Sequence, residues 1–341
     1  MIAGMQLPKP RGPLSAALTD ALREGRQVSA AVVALAVEVA AASTEPLTDD
    51  DLQLSLAVCY ELHYRGFDDV DDRWEWDPEL LRLRAVLEER QTAALRGLVA
   101  PWTVTDEPVD RQLTAVIEAD DGPSLSRHLA RSGTLEQWRE YLTLRSVYHL
   151  KEGDPHTWAI PRLAGRSKAA MVEIQADEYG GGSAQRMHSR LFADMMRDLD
   201  LDDGYGALWE AAPAVAFASV NTMSLFGLHR RWRGACLGHL AAVEMTSSEP
   251  SRRYASGLRR LGYPDRTAVF YDEHVEADAV HEQIASVDMC GSLVAEDPAL
   301  TADVLFGAQC ALAVDGLAAV HLLGAWEAGR SGLRTAEPVA A

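Results

Sequence analysis

The sequence predicts an all-α fold, a bundle of helices preceded by an N-terminal helical region. Three observations carry this. Long stretches rich in Ala, Leu, Arg and Glu run with few breakers, and strand-like alternation is confined to a few residues around Trp102–Thr105. The connections between these stretches are short and hold the prolines and glycines. Helices joined in that way bury their apolar stripes by packing on one another. The chain has 341 residues, 48% of them hydrophobic, which is enough for a sizeable core.

In chain order, residues 1–13 read as an extended arm, because Pro8, Pro10 and Pro13 exclude helix. From Leu14 the pattern is helical. Residues 28–42 are Ala- and Val-rich, and their length favours a buried helix over a strand. Thr48-Asp49-Asp50-Asp51 is a cap with acids in the first turn, opening a helix to about Arg65. Residues 66–77 form an acidic, aromatic connection that lacks the alternating spacing of a calcium loop. Pro78 opens a long helix to about Leu98, and Pro101 and Pro108 bracket a linker. Further helices are expected over 110–118, 122–131, 134–151, 169–179, 184–199, 209–227, 231–246, 250–261, 268–290 and 299–328. The expected organisation is an arm (1–13), an N-terminal helical region (14–108), a bundle (109–330) and a polar tail (331–341).

Net charge is −19. Nucleic acids and anionic membranes attract basic surfaces, so neither is an expected partner. Cys59, Cys236, Cys290 and Cys310 form no Cys-x-x-Cys pair and read as reduced, mostly buried thiols. The N-terminus has no apolar core of a signal peptide, and no uninterrupted apolar run reaches 18 residues; a cytoplasmic location is expected.

The chemistry gathers around residues 271–281. His274, Asp278 and His281 stand at i, i+4 and i+7, within roughly 60° of one another on one helix face. Imidazole, carboxylate and imidazole on one stripe suit a borderline metal ion. Other helices of the second half carry similar groups. Glu244 interrupts the apolar run Leu240-Ala241-Ala242-Val243-Glu244-Met245, where a lone carboxylate is costly unless paired or metal-bound. Residues 173–182 hold Glu173, Asp177 and Glu178 ahead of a Gly180-Gly181-Gly182 reversal, and His188 follows. Spacing alone leaves open which of the three acids faces inward. Glu152 ends the 134–151 helix, where an acid opposes the macrodipole. Glu152, Glu178, Glu244 and Asp278 would neutralise two Fe(II) ions, with His188, His274 and His281 completing a mixed O/N set. The His-Glu-x-x-His helix of zinc hydrolases is absent.

These segments, together with Glu152-Gly153-Asp154-Pro155-His156-Thr157-Trp158 and Gly234-Ala235-Cys236-Leu237-Gly238-His239-Leu240, resemble the haem-oxygenase-like diiron oxidases, often labelled iron-containing redox enzymes. The resemblance covers most of residues 145–290. It implies a seven-helix bundle like haem oxygenase with two irons in place of haem, held by Glu152, Glu178, His188, Glu244, His274, Asp278 and His281. It implies O2 as co-substrate, usually through a peroxo-diiron(III) intermediate, and an external electron donor where the chemistry needs one. The similarity to the N-oxygenase subgroup, typified by the streptozotocin-biosynthesis enzyme, implies N-oxygenation of a small amine- or amino-acid-derived metabolite in specialised metabolism. It also implies a homodimer formed through residues 14–100. Desaturation, decarboxylation and C–C cleavage are the alternative outcomes within the family. The expected pocket residues are Tyr179, Phe217, Asn221, Met245 and Phe270, with Arg186, Arg230 or Arg233 for a substrate carboxylate. The rivals from other classes are a haem protein on the same bundle, a non-catalytic scaffold or binding protein, and a hydrolase using Mn or Zn.

Overall fold

A computed structural model of the chain describes residues 5–334, apart from the side chains of residues 277–280. The N-terminal region comprises α1 (Pro13–Arg23), α2 (Ala30–Ala42), α3 (Asp50–Glu61) and α4 (Pro78–Leu98). The rest comprises α5 (Val109–Glu118), α6 (Leu125–Arg131), α7 (Leu135–His149), α8 (Asp154–Thr157), α9 (Gly165–Glu178), α10 (His188–Asp198), α11 (Ala214–Leu228), α12 (Arg233–Thr246), α13 (Ser248–Arg260), α14 (Asp265–Gln283), α15 (Ser292–Glu296) and α16 (Thr301–Glu327). A π-helical segment, Ile284–Gly291, joins α14 to α15. Among the described residues there is no strand, only an isolated bridge between Met5 and Phe67; the 102–105 stretch is irregular.

The helix starts follow from their caps. Asp49 accepts from the backbone N–H of Asp51 and Leu52, and Asp77 from Glu79 and Leu80 ahead of Pro78. Thr134 and Gln137 form a reciprocal capping box on α7. Several boundaries differ from expectation. The 209–227 helix begins only at Ala214, because Pro213 has no N–H for a helix interior, and residues 204–212 close i→i+3 turns instead. The 184–199 helix begins at His188, after the chain has reversed. Helix 134–151 stops at His149, so Glu152 sits on the following turn rather than in the helix. The 268–290 helix changes from α to π after Gln283; such an inserted residue within a helix is common at functional sites.

The core is continuous from the N-terminal region through the bundle. Nearly every side chain of α3 is buried, because α3 lies among α1, α4 and α11. Polar ties cross the same boundary: the Asn221 side-chain amide donates to the Gln53 carbonyl at 2.9 Å and Gln91 to Thr222 at 3.2 Å. Residues 298–327 are long and apolar enough to cross a membrane, a property the run-length criterion passes over because Asp303 and Asp315 interrupt it. Here α16 packs along α12. The fit depends on two glycines: a Cβ on Gly238 would lie 1.8 Å from the Val304 carbonyl oxygen, and one on Gly307 would lie 2.0 Å from that of Ala235. All four cysteines are buried free thiols.

Candidate metal centre

Five pieces of chain deliver the site. The turn after α7 brings Glu152, the end of α9 brings Asp177 and Glu178, the start of α10 brings His188, α12 brings Glu244, and α14 brings His274 and His281. Asp278 lies on α14 too, but its side chain is outside the described residues. Glycines make these approaches possible. Gly153 adopts φ +88°, and a Cβ there would meet the Glu178 side chain at 3.2 Å. Gly180, Gly181 and Gly182 all have positive φ, so the chain turns back within three residues and sets His188 beside Glu178.

One ligand atom each from Glu152, His188 and His274 lies within 4.8 Å of the others. His188 Nδ1 stands 3.2 Å from Glu178 Oε2, yet both atoms, and Glu152 Oε2, are buried without a hydrogen-bond partner among the described residues. The His274 Nδ1–H donates to the Phe270 carbonyl at 2.6 Å. A carbonyl can only accept, so this bond places a proton on Nδ1 and turns Nε2 toward Glu152 Oε1, 3.8 Å away. Two turns further along α14, His281 is clamped between Glu244 (Nδ1 to Oε2, 3.2 Å) and Asp177 (Nε2 to Oδ2, 2.9 Å). A void of about 20 Å³ lies where the sets meet, lined by Glu152, Glu178, Glu244, His156 and His274. That is room for one small ion or water.

The charges are tuned by their neighbours. Burial pushes the Glu152 carboxyl up, but His149, at 2.8 Å, and His274 more than reverse this and hold it below its ordinary value. Burial lowers His188, and Glu178 outweighs it, so the net shift is upward. His281 is raised to about 9, because Glu244 and Asp177 outweigh its burial. His156 and His239, hydrogen-bonded at 3.2 Å, are instead pushed down by burial, His239 to about 4.

A buried Glu152 oxygen without a hydrogen-bond partner among the described residues, in a void it shares with two more buried glutamates, is costly in a bare protein. The donors are hard oxygen and borderline nitrogen, the set that iron accepts. The residues present therefore fit a metal centre. Of the three acids that spacing left open, Glu178 is the buried one, Glu173 is exposed, and Asp177 is largely exposed yet reaches His281. The sequence reading passed over His149. Its spacing of i, i+3 to Glu152 was the available signal.

Beside the cluster lies a cavity of about 320 Å³, with Glu152, His149, His274, His239 and Phe270 in its lining. Phe270 is the one expected pocket residue that lines it. Tyr179 instead donates to Asp154 at 2.8 Å, Phe217 packs on Trp209 beneath Arg11, Asn221 binds Gln53, and Met245 is half-buried outside the lining. Arg186 pairs with Glu273, Arg233 with Asp297, and Arg230 is exposed. None of the three lines the cavity.

An all-α bundle with buried glutamates and histidines converging on a small void defines a metal-binding helical protein. Over residues 139–316 the chain matches the family described as iron-containing redox enzyme, which is haem-oxygenase-like, and it belongs to that family. It is accordingly an iron-dependent oxidoreductase. All seven residues expected to bind metal fall inside the matched segment. No curated protein matches the chain.

Proposed function

We propose that the protein is a non-haem diiron oxygenase that uses O2 to oxidise a small amine- or amino-acid-derived metabolite, at nitrogen, in specialised metabolism. The observation that carries the metal assignment is the convergence of one ligand atom each from Glu152, His188 and His274 within 4.8 Å of one another, with Glu152 Oε2 buried and without a hydrogen-bond partner among the described residues. Glu152, Glu178, His188, Glu244, His274, Asp278 and His281 would hold two ferrous ions. Iron bound there would supply the electrons that O2 reduction needs, with an external donor restoring them.

The chain's own groups do the rest. His149 orients Glu152, and the Phe270 carbonyl orients His274. Phe270, Tyr148 and Met223 wall the adjoining cavity and limit water. The preference for nitrogen over carbon rests on the resemblance to the N-oxygenase subgroup. Dimerisation through the N-terminal region is supported by α2, an AAVVALAVEVAAA helix in which only Ala36 and Ala40 are buried. A cytoplasmic setting accords with the reduced thiols.

The test is anaerobic Fe(II) loading, with iron counted per chain, followed by O2 while visible absorption is recorded. About two irons per chain and an O2-dependent change are expected, both lost in His274→Ala and Glu244→Ala. A protein that takes up no iron would sink the reading in favour of a scaffold. A Soret band would favour haem, and turnover without O2 would favour hydrolysis.

A further inference from the structure

Several helices line the cavity beside the cluster, and α7 contributes a regular series to it. Tyr141, Arg145, Tyr148 and Glu152 line it at i, i+4, i+7 and i+11, a single stripe running along α7 into its following turn. Arg145 and Glu152 are seven residues apart, Arg145 within the helix and Glu152 in the turn that follows it. The stripe thus carries a cation at one end and a candidate metal ligand at the other.

Arg145 is unusual in its surroundings. It is the one arginine or lysine among the described residues that line this cavity, in a chain of net charge −19. Its side chain is 18% exposed. Its Nη2 donates to Asp315 on α16, while its Nε is buried with no hydrogen-bond partner. The guanidinium lies 5.5 Å from the Tyr141 ring centroid, and Tyr254 stacks on that ring at 4.9 Å. Asp315 also lines the cavity, but its side chain is 52% exposed. The pair is therefore asymmetric. Water can take over Asp315, whereas the arginine stays in the wall with donors unused. A strongly acidic chain repels anions at long range, so a negative substrate would enter only against a local cation.

We propose that Arg145 recognises a carboxylate of the substrate, which takes the place of Asp315 on the guanidinium and holds the far end of the molecule at Glu152 and His274. This rests on the metal-centre reading only for the chemistry that follows, not for the binding itself. A planar fork of N–H donors suits a carboxylate bidentately, and an uncharged isostere would leave the donors unpaired. The substrate is thus a small acid that also carries the nitrogen, as an α-amino acid does; preference for a simple carboxylic acid would keep the role of Arg145 and overturn the nitrogen reading.

The probes are the L-α-amino acids and the straight-chain acids from butanoate to decanoate, each compared with its primary amide. They are titrated by calorimetry into the full, iron-free chain. At least one acid should bind ten-fold or more tightly than its amide, and which series it belongs to identifies the source of the carboxylate. Arg145→Gln should weaken that acid roughly ten- to hundred-fold, the scale of a charge-assisted hydrogen bond. Arg145→Lys, which keeps the charge on a less suitable head group, should lose part of that. Asp315→Asn removes the competing anion and should tighten acid binding several-fold. A bridge that merely ties α7 to α16 predicts the opposite, equal loss in Arg145→Gln and Asp315→Asn. That result overturns the proposal, as does any set in which no acid is preferred to its amide or Arg145→Gln binds like the wild type. Iron uptake, counted separately in every variant, reports on the metal-centre reading alone.

Discussion

Substituting Gly238 by alanine should separate α12 from α16. Gly238 has an ordinary helical backbone, so the cost is steric rather than conformational. The added Cβ would lie 1.8 Å from the Val304 carbonyl oxygen and 2.6 Å from its carbon. Ordinary contact begins near 3.4 Å, so the helices must part by roughly 1.5 Å or tilt. The obstruction is main chain and has no rotamer to escape into. Overpacking of this kind costs up to about 3 kcal/mol, and the better helix propensity of alanine returns about 1, leaving a net loss of about 2 kcal/mol. Gly324→Ala is the control. That glycine also lies in a helix, α16, but a Cβ there meets nothing within 4 Å. Only the propensity gain operates, so the protein should become more stable by about 0.5–1 kcal/mol. Urea titrations followed by circular dichroism would show midpoints moving in opposite directions at similar slope. Gly238→Ala should also lose iron, because Glu244 rides on α12 less than two turns further on. If both alanine variants were stabilised alike, the interlocked packing of α12 and α16 described above would be wrong.

Two further outcomes follow from other parts of the chain. Lys151 and Glu61 form a buried pair at 2.8 Å, with Tyr205 donating to the same glutamate at 2.7 Å. Lys151→Met strands the carboxylate and should cost about 3 kcal/mol, whereas Lys151→Met with Glu61→Gln should recover most of it, since a neutral amide still accepts from Tyr205; a double variant as unstable as the single one in denaturant titrations would contradict this. Val37 on α2 is 50% exposed, so in the dimer proposed through the N-terminal region Val37→Glu should halve the molar mass measured by light scattering; a mass unchanged by the substitution would exclude α2 from any dimer contact.

The fold class was legible because helix signals are local. Caps such as Asp49, Asp77 and Thr134 lie within three residues of the amides they satisfy. Boundaries were lost where a tertiary or single-residue effect overrode an apolar pattern. Pro213 shortened α11, and the π segment after Gln283 is invisible to a pattern that counts 3.6 residues per turn. The short α8 was missed because four residues carry no periodicity.

The site divides along the same line. His274 and His281 were visible because both occupy one helix, and Glu244 because it interrupts an apolar run. Their chemical relations were not visible, because each depends on chain that is remote in sequence. His281 meets Glu244 and Asp177, 37 and 104 residues away. Arg145 was passed over for a related reason. On a helix with Arg139 and Lys151 nearby, it reads as one more solvated cation, and only Asp315, 170 residues on, and its place in the cavity lining distinguish it. Arg186 and Arg233, expected to hold a substrate carboxylate, are each spent on a surface carboxylate of the chain. A charged side chain becomes informative when its burial is known together with its unused donors, since a desolvated guanidinium with a free N–H carries a cost that a ligand can relieve. Arg145 satisfies both conditions in the lining of the cavity that also holds Glu152, and the proposed substrate recognition rests on that conjunction.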